Sequence, residues 1–219
     1  MTIDRREALR YLSIREPDAG ALADIEPAAA ALEAALTPRF TFAAYPTERV
    51  SGGIALRGSG GVLPGGLAET MLRGCGQAVL LLCTLGAGFE TMLRAAEARD
   101  MARAAMLDAC GSAYVEAGCD EAERAVAARF PERYLTDRFS PGYGDLPLAL
   151  QPALCAALDS QRRLGVTVTE SLLMVPSKTV SAVIGLADAP QPARIRGCGF
   201  CARRDTCAFR KGGTTCGAV

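Results

Sequence analysis

The sequence predicts an α+β fold with a mostly antiparallel sheet, and three observations carry that prediction. Helix-type and strand-type segments are mixed without the steady strand–helix–strand rhythm of a parallel sheet. Residues Glu90 to Arg129 read as helix almost throughout, with Met92, Ala96, Met101, Met106, Cys110, Tyr114 and Val126 on apolar stripes. Gln77–Leu85 and Val180–Leu186 are apolar runs of strand length, the first bounded by glycines, as buried strands are. Half of the 219 residues are hydrophobic, and a compact chain of this size buries roughly 70% of its unfolded surface.

Taken in order, Ile3–Leu12 reads as a short helix. Asp18 caps an Ala-rich helix that stops at Leu36, before Pro38. Residues 39–57 hold short β-type runs punctuated by Pro46 and Gly52-Gly53. Gly58–Gly61 and Pro64–Gly66 are turns leading into a helix from Leu67 to Arg73. In the long helical stretch Gly111 and Gly118 mark places of close packing, and Phe130-Pro131 ends it. A turn-rich segment (138–147), a helix from Leu148 to Ser160 and a strand at Val166–Thr169 follow. Ala189–Pro192 is a hinge. It separates one domain, residues 1–190, from a short cysteine-rich tail, residues 191–219.

Composition excludes several chemistries. There is no histidine, hence no imidazole base, no Ser-His or Cys-His nucleophile pair, no His-ligated zinc or haem, and no imidazole for cobalt from this chain. Lys plus Arg and Asp plus Glu both total 24, so no basic footprint points to nucleic acid or to a membrane surface. The N-terminus is charged, with no signal-peptide core, and the longest apolar run, Ala78–Cys83, is far short of a span. These features predict a cytoplasmic protein whose nine cysteines are reduced, buried or metal-bound.

Four of the nine form a C-x2-C-x5-C-x8-C pattern in the tail: Cys198, Cys201, Cys207 and Cys216. Thiolate-only ligation suits zinc or an iron–sulfur cluster, and the spacing decides neither. Neighbouring Arg194, Arg196, Arg203, Arg204, Arg210 and Lys211 would offset the thiolate charge. The alternative is a tail of free thiols. Cys75, Cys83, Cys110, Cys119 and Cys155 lie in apolar or helical settings and read as small buried hydrophobes.

A second candidate is Arg138-Phe-Ser-Pro141-Gly142-Tyr143. It sets a bidentate donor and a hydroxyl on one rigid turn, which suits a carboxylate-bearing ligand. Upstream lie Glu116, within the long helix, and Glu132, just past it; by themselves they read as solvated carboxylates. Downstream, Leu164–Ser171 and Met174–Ser181 read as strand, turn and strand, with Glu170 and Ser171 at the turn.

In this order and spacing, Arg138-x-x-Pro-Gly-Tyr143, a helix, Val-Thr-Glu170-Ser171-x-x-Met174-x-Pro176 and Val180-Ser181 resemble the reactivation domain of cobalamin-dependent methionine synthase. The likeness spans residues 105–186. The whole chain is similar to stand-alone relatives of that domain, which also carry a Thr-Leu-Gly turn and a C-terminal cysteine cluster. The resemblance implies a twisted antiparallel sheet packed with helices, binding of S-adenosylmethionine, and reductive methylation of cobalt(II) in cobalamin held by a partner. That partner would be a corrinoid-binding protein or a split methionine synthase, with flavodoxin or ferredoxin as the kind of electron donor. The resemblance carries ligand-binding roles onto Arg138, Tyr143, Glu116 and Glu132, with Pro141 and Gly142 in the same loop and Glu170 and Ser171 in the downstream motif. No catalytic acid–base pair is expected. The paired aromatics that follow the Val-Ser strand in the full-length enzymes are replaced here by Val183-Ile-Gly-Leu186. Two other readings remain: an iron–sulfur electron-transfer activator, and a zinc-stapled, non-catalytic interaction module.

Overall fold

An antiparallel six-stranded sheet, clad with helices on both faces, organises the chain. The computed structural model describes residues 1–14, 16–192 and 205–206, so Cys198, Cys201, Cys207 and Cys216 of the expected metal site in the tail lie outside the described residues. Two helices open the fold, α1 (Arg5–Tyr11) and α2 (Ala19–Ala35), capped by Asp4 and Asp18. Arg5 clamps them together, donating to Glu26 at 2.9 Å and Glu33 at 2.5 Å. Then come β1 (Arg39–Val50), β2 (Gly53–Leu56), β3 (Gly61–Pro64), α3 (Gly65–Met71) and β4 (Cys75–Thr84). Next are α4 (Ala87–Glu97), α5 (Met101–Arg129), β5 (Tyr134–Leu135), α6 (Gln151–Ala157) and α7 (Ser160–Leu164). The short hairpin β6 (Thr167–Val168) and β7 (Met174–Val175) precedes β8 (Thr179–Ala187). Strand order in the main sheet is β3-β2-β1-β4-β8-β5, and every pair is antiparallel.

The apolar run of β4 is continuous because both its faces are covered. Val79, Leu81 and Cys83 point into a core built with α1, α2, α4 and α5, together with Ile184 and Leu186 of β8. Ala78, Leu80 and Leu82 point the other way, into a second core with α3, α6 and Val183. Cys75, Cys83, Cys110, Cys119 and Cys155 are all buried and free of disulfides. Burial pushes the Cys110 thiol up to about 11. The Cys119 thiol is raised by its hydrogen bond with Cys83 and by burial. Both are therefore poor nucleophiles. No helix among the described residues is long and apolar enough to cross a membrane.

Three elements differ from the sequence reading. The expected Glu90–Arg129 helix is two helices, broken at Ala98–Asp100, because the Asp100 carboxylate caps a new start by accepting from Ala102 and Arg103 N–H at 2.9 and 3.2 Å. Between the expected turns at Gly58–Gly61 and Pro64–Gly66 the chain forms a strand, Gly61–Pro64, paired with β2. The Leu148–Ser160 helix divides into a 3-10 turn (Leu148–Leu150), α6 and α7, separated where Asp159 adopts φ +51°.

The two glycines of α5 do mark close packing. A Cβ on Gly118 would lie 2.6 Å from Pro38 Cβ and 2.7 Å from Cys83 Sγ, and one on Gly111 would enter the Phe89 ring. The lack of a Cβ at both positions lets the 29-residue α5 pack closely against α4 and against Cys83 of β4.

Candidate functional site

Helical periodicity puts Glu116, Asp120 and Glu123 on one face of α5. All three reach one guanidinium. Arg138 donates to Glu116 at 2.6 Å, to Asp120 at 2.7 Å and to Glu123 at 2.7 Å. Its side chain is only 15% exposed. Burial works against the Arg138 charge, but the hydrogen bond to Asp120 and the fields of Glu123 and Glu116 more than offset it, so its pKa is raised.

The backbone fixes Arg138 by continuing alongside β8 after β5. Thr136 N–H donates to Gly185 O at 3.0 Å, and Gly185 N–H to Thr136 Oγ1 at 2.8 Å. Phe139 and Val183 then exchange both backbone bonds, at 3.0 and 2.7 Å. Beyond Phe139 the chain reverses. Tyr143 N–H donates to Ser140 O, Leu146 N–H to Tyr143 O and Gly142 N–H to Leu146 O. Gly142 sits at φ +87° and Gly144 at φ +56°, a region that costs other residues roughly 1–2 kcal/mol.

Asp145 pins this loop from the far side. Its carboxylate accepts from Gly66 N–H at 2.7 Å and Leu67 N–H at 3.0 Å, capping α3 from 78 residues away. Those backbone donors hold its carboxyl below the ordinary 3.8. A depressed folded-state pKa supplies stability above the unfolded value that is lost as pH falls through the folded one. Asp145→Ala is therefore expected to lower the melting temperature at pH 7, with the gap to wild type narrowing below about pH 4. Thermal melts across that range check it; a gap independent of pH would contradict the capping role.

Glu116, Ser140 and Pro141 line one side of a cleft of about 500 Å³, within the ~300–1,000 Å³ usual for small-molecule sites. The turn leading into β7 (Leu172–Met174), the start of β8 (Thr179–Ser181) and the buried Gln151 complete the lining. Leu172 holds φ +65° in a turn locked by Thr169, which accepts from Leu172 N–H at 2.9 Å and, through its hydroxyl, from Leu173 N–H at 3.1 Å. The preceding link to β8 is tied to α4 and α5. Glu90 accepts from Ser177 N–H at 2.6 Å, and Lys178 bridges Asp108 at 2.8 Å and Ser112 at 2.9 Å. The hydrogen bonding of Ser177 holds the Glu90 carboxyl low. Thr84 and Thr179 hydroxyls meet at 2.7 Å, joining the ends of β4 and β8 beneath this wall.

Of the residues singled out in the sequence, Glu116, Arg138 and Pro141 come together here, with Gly142 in the same loop. Tyr143 is on that loop but turns outward, 41% exposed, and does not line the cleft. Glu170 and Ser171 are exposed at the hairpin tip, and it is the residues just after them that line the wall. Glu132 stands apart: its side chain is 67% exposed and its partner is Arg133, at 4.0 Å. Asp120, Glu123 and Gln151 were not singled out in the sequence. The i, i+4, i+7 spacing of Glu116, Asp120 and Glu123 was a readable signal; nothing local marked Gln151. Among the described residues no group of three or more Cys, Asp or Glu could hold a metal.

Residues 118–194 match the family model for the activation domain of vitamin B12 dependent methionine synthase. The fold agrees over nearly the whole chain. A crystal structure of the MetH reactivation domain bound to AdoHcy superposes with a TM-score of 0.69, at 18% identity, covering 98% of this chain and 82% of that one. Residues 118–194 are thus homologous to that activation domain, and the chain as a whole shares the fold of the reactivation domain. No curated protein sequence matches the chain. The matched segment holds the C-terminal part of α5, the Arg138 loop, the hairpin turn and β8, which is most of the cleft wall. Glu116 precedes it by two residues.

Proposed function

We propose that the chain binds S-adenosylmethionine in this cleft and supports reductive methylation of a cobalt(II) corrinoid held by a partner, such as the cobalamin-binding part of a methionine synthase. The observation that carries the reading is Glu116, which lines the cleft and is held from behind by Arg138 at 2.6 Å. Three carboxylates against one guanidinium leave this cluster with net negative charge. Such a cluster favours a ligand with an ammonium and a sulfonium, and Arg138, its fork engaged by the three carboxylates, fixes Glu116 toward that ligand. The family match over residues 118–194 supports the same reading.

The chain's task is binding and orientation, holding the sulfonium methyl where a partner can present its cobalt. One electron from a reductase partner turns cobalt(II) into the cobalt(I) nucleophile. The carbon–sulfur bond breaks as the carbon–cobalt bond forms, giving methyl-cobalt(III) and S-adenosylhomocysteine. No proton moves, so a cleft without histidine is chemically sufficient.

Calorimetry with S-adenosylmethionine tests the binding step, and an anaerobic cobalt(II) spectrum with candidate corrinoid proteins tests the transfer. Glu116→Gln is expected to weaken S-adenosylmethionine by about tenfold or more, since a charge-assisted hydrogen bond contributes roughly 1.5–3 kcal/mol. Wild-type protein that binds neither S-adenosylmethionine nor S-adenosylhomocysteine would overturn the reading.

A further inference from the structure

Gln151, the first residue of α6, is 3% exposed and lines the cleft. Its side-chain oxygen is used: Oε1 accepts from Ser181 Oγ of β8 at 3.1 Å. Its Nε2 is not. That nitrogen donates to no atom of the described residues, although no side-chain nitrogen or oxygen sealed from solvent among them lacks a partner. Nε2 therefore opens onto the cleft, through the small part of Gln151 that is not covered. An almost fully buried amide with one end fixed and the other end free is a donor held ready for something in the cleft.

The surroundings define what it would meet. Leu148, Leu172, Leu173, Met174 and Val180 make this part of the lining apolar, whereas Glu116 supplies the charge. The cationic end of a ligand belongs with Glu116. A neutral N–H in an apolar slot selects a neutral acceptor, such as a ring nitrogen or a hydroxyl oxygen.

We infer that Gln151 is a specificity residue that donates from Nε2 to the nucleoside half of the ligand, with Ser181 fixing the orientation of the amide. This rests on the proposed binding of S-adenosylmethionine and adds which end of the ligand lies where. A site built to hydrogen-bond a ligand discriminates against analogues that lack the acceptor, because its own buried donor is then left unpaired.

The test is calorimetry of wild type, Gln151→Leu and Gln151→Glu with S-adenosylhomocysteine and with 5′-methylthioadenosine, which keeps the nucleoside and lacks the amino-acid group. Gln151→Leu is expected to weaken both ligands by about tenfold. Gln151→Glu keeps the shape and the acceptor for Ser181 and loses the donor once ionised; because burial and Glu116 raise a carboxyl there, it is measured at pH 9 as well as pH 7, and its ionised form is expected to weaken both at least as much. It also serves if the leucine variant fails to fold, which thermal melting reports. Binding of S-adenosylhomocysteine by wild type, with the same affinity in a folded Gln151 variant, overturns this inference and leaves the proposed function standing. Tighter binding by Gln151→Glu overturns the donor role in the same way. Wild-type protein that binds neither ligand overturns the proposed function itself.

Discussion

Arg138→Ala is expected to lose both stability and ligand affinity, and the two losses have separate causes. Removing the guanidinium leaves Glu116, Asp120 and Glu123 facing one another without a counter-charge. Breaking a fully buried pair costs about 3–5 kcal/mol, but these carboxylates are 22–56% exposed and water screens them. A loss of about 2 kcal/mol follows, or roughly 4–8 °C in melting temperature for a chain of this size. High salt should return part of it, since screening weakens repulsion among the three carboxylates. Arg138→Lys should recover charge without the planar fork, restoring more stability than affinity. Affinity for S-adenosylmethionine should fall by at least tenfold in Arg138→Ala. Melting curves at two salt concentrations check the first claim. A variant that melts with wild type at low salt would show that the guanidinium does not offset the acidic face of α5.

Gly118→Val is expected to be the most damaging single substitution on α5. The space a Cβ would need is occupied by Pro38 and Cys83, a rigid ring and a buried thiol. Neither can rotate away as a long surface side chain would. Overpacking of this kind costs about 3 kcal/mol, against a few tenths returned by better helix propensity. Gly118→Ala sets about 1 kcal/mol of propensity gain against a smaller clash, and should fall between valine and wild type. Denaturant midpoints measure both. Because Glu116 and Asp120 flank Gly118 at two residues on either side, displacement of α5 should also weaken ligand binding in the valine variant. A midpoint unchanged in Gly118→Val would mean that α5 does not lie as close to β4 as described.

Much of the fold was readable because its signals are local. Asp18 before an Ala-rich run, glycines around Gln77–Leu85 and a Pro-Gly turn after Arg138 each limit the backbone within a few residues. What escaped depends on partners distant in the chain or on one competing local signal. The Asp100 cap was hidden inside an unbroken Ala- and Met-rich pattern, where propensity favours helix through it. Gly61–Pro64 is a strand only because β2 pairs with it. Arg138, Pro141 and Glu116 were legible from turn chemistry and from resemblance, but not that Arg138 joins three carboxylates at once. Gln151 shows the limit most clearly. Its surroundings come from residues 116, 140–141, 148 and 172–181, so no window around position 151 contains the reason for its burial.

The pairing of β4 with β8 has a consequence in time. Thr84 meets Thr179 across the sheet, a separation of 95 residues, and Cys83 meets Val180. Closing so long a loop is an entropic cost met before the contacts reward it. Until β8 docks, one edge of β4 is bare, Arg138 lacks the backbone rail supplied by Val183 and Gly185, and Gln151 lacks Ser181. The recognition groups at 116, 138 and 151 are all synthesised before the strand that orders the last two. During synthesis, then, the cleft is completed only once β8 has been made, and a partly made chain carries Glu116, Arg138 and Gln151 without the cleft that joins them.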